Sequence, residues 1–145
     1  ALEDTQLKML PELAAAGCSG PVALMAELGW PITVRGGDWN ASALNHAVFR
    51  GDATMARQLL ASGASWTEEH GFGDNVCGTL SWASWNQPLD DGDWVGCAEA
   101  LVAYGMPGAQ RDIEDPDCVV LAGKRRRFSE DVAAYLLQQG AENAG

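Results

Sequence analysis

A glycine that ends one short helix, followed by a second helix with its apolar residues on one face, recurs along this chain. No other feature restricts its fold as much. In the segment from Gly51 to Ala64, Gly51 stops a helix, Asp52 caps the next one, and Met55, Leu59 and Leu60 share a face before Gly63 stops it again. The segment from Gly17 to Trp30 repeats the pattern at the same length with Val22, Met25 and Gly29. Gly92-Asp93-Trp94 leads to Cys97, Leu101-Val102 and Gly105-Met106, and Ser129-Glu130-Asp131-Val132 leads to Leu136-Leu137 and Gly140-Ala141. The terminating glycines Gly29, Gly63, Gly105 and Gly140 stand 34, 42 and 35 residues apart. One helix pair of this length cannot bury its apolar face alone, so neighbouring pairs must stack and share a core.

The first helix of each pair adds a second match. Ser42-Ala43-Leu44-Asn45-His46-Ala47-Val48 stands where the ankyrin-repeat family has Thr-Pro-Leu-His-x-Ala-Ala, and Gly78-Thr79-Leu80-Ser81-Trp82-Ala83-Ser84 keeps the Leu and the Ala. Lys8-Met9-Leu10-Pro11-Glu12-Leu13-Ala14 and Cys118-Val119-Val120-Leu121-Ala122 match more weakly. The chain therefore resembles an ankyrin-repeat protein over about residues 5 to 142. The resemblance implies an all-α solenoid, one domain over residues 1–145, with about four helix-turn-helix units at 4–36, 37–69, 70–110 and 111–145. Hairpin-like turns are expected at Gly36-Gly37-Asp38 and Gly71-Phe72-Gly73-Asp74. An irregular helical bundle is the competing fold.

The net charge of −11 is unevenly spread. Between Arg57 and Arg111 there is no Lys or Arg, while Glu68, Glu69, Asp74, Asp90, Asp91, Asp93 and Glu99 all fall there. Such a surface repels nucleic acid and anionic membranes and steers toward a basic protein, although acidity also serves solubility alone. No apolar run reaches the length of a membrane span, and Ala1-Leu2-Glu3-Asp4-Thr5 lacks the basic start of a secretory signal. Cys18, Cys77, Cys97 and Cys118 form no close pair, which points to free thiols and a cytoplasmic protein. A monomer is expected, with no cofactor and no metal.

Members of the family this chain resembles bind through turn tips and the ends of first helices. Carried over by position, that implies a surface of Asp38, Trp39, Ala41, Phe49 and Arg50 in the second unit. The third unit would add Asp74, Asn75, Cys77, Trp85 and Asn86, and the fourth Arg126 and Arg127. Trp39 and Phe49 are the expected anchors, since the repeat core does not need rings there; Trp85 is open between contact and packing. The third unit is longer than its neighbours, through Gln87-Pro88-Leu89-Asp90-Asp91 and the turn from Glu68 to Gly73. Both insertions are expected to set Glu68, Glu69, Asp74, Asp90 and Asp91 near one edge of the concave face.

The expected function is a protein-interaction module for a basic partner, not an enzyme. One alternative is a neutralising inhibitor or immunity-type protein for a basic enzyme. A remote one is a small metal-dependent hydrolase built on His70 with Glu69 and Asp74, but a second His or a Cys pair is missing. His46 reads as a packed network residue, and Asp90-Asp91-Gly92-Asp93 lacks the alternating ligands of a calcium loop. Lys124-Arg125-Arg126-Arg127 reads as a solvated helix end complementing the macrodipole, with contact to RNA or an acidic peptide as the other possibility.

Overall fold

The structure, a computed structural model, describes residues 3–144; Ala1, Leu2 and Gly145, at the two ends of the expected domain, lie outside the described residues. The helices are α1 (Asp4–Leu7), α2 (Met9–Ala15), α3 (Ser19–Glu27), α4 (Ala43–Arg50), α5 (Ala53–Ala61), α6 (Val76–Asn86), α7 (Trp94–Ala103) and α8 (Glu130–Ala144). The strands are β1 (Arg35–Gly36), β2 (Ala41–Ser42), β3 (Gln110–Arg111), β4 (Val119–Leu121) and β5 (Lys124–Arg126).

Short helices pair because their ends are chemically closed. After α5 the Gly63 N–H donates to Leu60 and the Ala64 N–H to Leu59, with Gly63 at φ +108°, a value that favours glycine. The same two bonds recur after α2, α3, α4 and α7, at Gly17, Gly29, Gly51 and Gly105. The opposite ends are closed by side chains: Ser42, Asp52, Asn75 and Asp93 accept from the backbone N–H of Asn45, Met55, Cys77 and Gly96.

The hairpins α2–α3, α4–α5 and α6–α7 then stack, with α2 on α4 and α4 on α6 in one row, and α3 on α5, α5 on α7 and α7 on α8 in the other. Between the rows lie Leu10, Val22, Leu44, Met55, Leu59, Leu80, Leu101 and Leu136, all fully buried or nearly so. Each such side chain contributes about 1.5–3 kcal/mol. Ala14, Ala47 and Ala83, fully buried, let the helices of the first row approach closely. A buried polar link joins α4 to its successor: Asn45 donates to the Glu68 carbonyl at 3.1 Å and accepts from the Thr79 hydroxyl at 2.6 Å. No helix among the described residues is long and apolar enough to cross a membrane.

The all-α solenoid expected from the sequence is overturned by two antiparallel sheets, which make this a mixed α/β fold. The smaller pairs Arg35 with Ser42 and Gly36 with Ala41 around the first turn. The larger, ordered β3-β4-β5, replaces the first helix of the fourth unit. Val119 and Leu121 are buried while Val120 is less so, the period of a strand. Ala122 and Gly123 follow with φ of +52° and +80°, the two left-handed residues of a tight hairpin turn. Lys124–Arg126 therefore returns as a strand and is not a helix end, and Arg126 points inward, 8% exposed. Gly140 is also corrected. It lies inside α8, where the chain passes so close that a Cβ there would sit 2.0 Å from the Ala109 carbonyl oxygen.

Candidate functional site: an aromatic pocket across two hairpins

Trp39 sits in the turn between β1 and β2. Phe72, thirty-three residues later, sits in the next turn, which a bridge between Glu69 and Asn75 closes. The two turns touch: the Gly71 N–H donates to the Trp39 carbonyl at 2.9 Å, and a Cβ at Gly71 would lie 2.8 Å from that oxygen. Phe49 occupies the last turn of α4, and Trp82, again thirty-three residues later, lies on α6. Because α4 packs on α6, the four rings form one row. The centroids of Phe72 and Trp39 are 6.4 Å apart, those of Trp39 and Phe49 5.6 Å, and those of Phe49 and Trp82 5.5 Å at an interplanar angle of 12°. Phe72 is 80% and Trp82 53% exposed.

The row borders a cavity of about 630 Å3 lined by Asp38, Trp39, Phe49, His70, Phe72, Asp74, Gly78, Thr79 and Trp82. His70 is buried 5.1 Å from Trp39, and its Nδ1 accepts from the Phe72 N–H at 3.2 Å, so Nε2 carries the ring proton. Burial lowers its pKa, and that of His46, whose Nε2 donates to the Gly36 carbonyl at 2.8 Å. Asp74 meets the Arg126 guanidinium through two bonds of 2.8 and 3.0 Å, with the Lys124 ammonium 3.5 Å away. The guanidinium holds the Asp74 carboxyl well below the usual carboxylate range. Asp38 is exposed at the rim and takes part in no ion pair among the described residues.

Of the surface expected from the sequence, Asp38, Trp39, Phe49 and Asp74 come together at this pocket. The rest do not. Arg50 turns to the preceding hairpin, where its Nη1 donates to the Ala15 carbonyl at 3.2 Å. Asn75 caps α6, and Ala41 and Cys77 are fully buried. Arg126 is corrected from surface contact to buried counter-ion, and Arg127 stacks over Trp85 at 3.9 Å, with Trp85 half-exposed farther along α6. The Asn86 amide donates back to the Trp82 carbonyl.

The acidic insertions also separate. Glu68, Glu69 and Asp74 precede α6 while Asp90 and Asp91 follow it, so about 16 Å of helix lies between them. Glu68 is half-buried, its carboxylate accepting from the Ser65 N–H, and burial raises its pKa. No group of three or more His, Cys, Asp or Glu side chains is placed to hold a metal among the described residues.

Sequence reasoning missed Phe72 and Trp82 as partners of the row, and His70, Gly78 and Thr79 as its floor and wall. The signal was present as spacing, because each missed ring follows an expected anchor by one repeat length. A wider groove of about 910 Å3 runs between the larger sheet and α8, but it mixes Arg111, Asp117 and Glu130 with Leu137 and gathers no chemically convergent set.

Fold and pocket define a class in structural terms: stacked helix hairpins followed by a small sheet and a last helix, with an aromatic row laid over one inter-hairpin boundary. No family model and no curated protein sequence matches this chain.

Proposed function

We propose that the protein is a binding module that docks a partner protein with a basic surface on the face bearing the aromatic row. The observation that carries this reading is the row itself, four contiguous rings that include the exposed Phe72 and Trp82. A core would have covered such rings, and contiguous exposed apolar patches mark interaction sites. Large aromatic side chains are also the residues that most often dominate binding energy. The net charge of −11 supports a basic partner over nucleic acid or an anionic membrane. The reading extends to a single-copy protein in the cytoplasm, where the four free cysteines would stay reduced.

Capture of the partner from native lysate on immobilised protein, followed by affinity measurement, tests the proposal. Trp82→Ala, at an exposed ring, is expected to cost about 2 kcal/mol of binding, or roughly thirty-fold, with a melting temperature within about 2 °C of the parent. Association should also weaken with salt as screening shortens to about 10 Å at 0.1 M. Full binding by Trp82→Ala, or binding indifferent to salt, would remove the proposal.

A further inference from the structure

We propose that the pocket takes the guanidinium of one arginine supplied by that partner, stacked against the ring row and paired with Asp38. This rests on the docking reading and goes beyond it by naming what enters the cavity.

The lining restricts the occupant. An anion would meet Asp38 and the negative faces of the rings. A purely apolar side chain would meet the rings but leave the Asp38 carboxylate at the rim without a partner. A cation on an apolar stem satisfies both kinds of wall, because aromatic faces attract positive charge and the carboxylate accepts its hydrogen bonds.

Lys124 and Arg126 are both held by Asp74, and Arg35, the other cation that acts on His70, donates its Nε to the Asn40 carbonyl and forms no ion pair with Asp38, so the uncommitted acceptor is Asp38. His70 and His46, with pKa values lowered by burial, stay neutral near pH 7 and do not oppose an incoming cation. Arginine fits better than lysine: its plane stacks on rings, it is more weakly hydrated, and its fork matches a carboxylate. The molecule already makes that contact elsewhere, with Arg127 over the Trp85 ring at 3.9 Å. A volume of about 630 Å3 lies within the range of small-ligand clefts and exceeds the needs of one side chain.

The test uses three capped tripeptides, Gly-Arg-Gly, Gly-citrulline-Gly and Gly-Lys-Gly, titrated into the whole protein while the indole N–H resonances of its tryptophans are followed. Citrulline keeps the shape of arginine without its charge. The arginine peptide should move the Trp39 and Trp82 signals and bind about ten-fold more tightly than the citrulline peptide. Asp38→Asn, at an exposed position, should bring the two within about two-fold. Equal binding of arginine and citrulline, equal binding of arginine and lysine, or shifts confined to other tryptophans would each overturn the assignment.

The two proposals fail separately. Partner capture lost in Trp82→Ala without any arginine preference leaves the docking surface standing and removes its occupant. An arginine preference alongside partner binding that is indifferent to salt does the reverse.

Discussion

Asp74 shows how far one side chain can reach. Its carboxylate lies over Gly78, where a Cβ would come within 2.2 Å of Oδ2, and meets Arg126, which has only 7% of its side chain exposed. That contact ties the third hairpin to the larger sheet. Asp74→Asn would leave a buried guanidinium without a counter-charge and should cost about 3 kcal/mol in urea denaturation. Lys124→Ala, whose ammonium is 60% exposed, should cost less than about 0.5 kcal/mol. Similar losses for the two variants would mean that the buried pair is not what holds the sheet. By its position in the repeat and in the basic run Lys124–Arg127, Arg126 reads as a surface residue, and nothing near it in the chain announces a partner fifty-two residues away.

Helices and strands differ in how openly the chain declares them. Gly51-Asp52, Gly63 and Gly105 state helix ends by local chemistry, and the structure closes them there. Ser42, a residue type suited to cap a helix, does so at the start of α4. Val119-Val120-Leu121 was not, since a three-residue apolar run suits either periodicity and Ala122-Gly123 is not a strong hairpin pair. The strand wins because it buries Val119 and Leu121 and pairs with a strand on each side, which outweighs a φ of +52° at Ala122 that costs a non-glycine residue about 1 kcal/mol. Ala122→Gly should therefore raise stability by up to about 1 kcal/mol, read as an increase in melting temperature, less the added freedom of the unfolded chain. A drop in melting temperature would contradict the turn assigned to this position. Four of the nine pocket residues were legible, through positions in turns and at helix ends; the rest depended on stacking between hairpins, which only the repeat length encodes.

Considered as one body, the protein should lose stability in acid for identifiable reasons. His46 and His70 are held neutral by burial, whereas in the unfolded chain each takes a proton near pH 6.5. Their contribution is complete above that pH and declines below it. Asp74, with its pKa lowered, adds a second loss as pH falls below about 4. Glu68, with its pKa raised by burial, works in the other direction and gains stability as it protonates. The urea midpoint should decline as pH falls from about 7 to 5.5, and His46→Asn should make that slope shallower. An unchanged slope in that variant would exclude His46 as its source.

The four rings are carried in pairs by different hairpins and by the turns that precede them. A slip of α6 along α4 by a single helical turn, about 5.4 Å, would part Phe49 from Trp82 while both hairpins stayed folded. The recognition proposed for this face would thus depend on the alignment of neighbours, and substitutions that loosen Asn45 from Thr79 should weaken the proposed binding well before they unfold the chain.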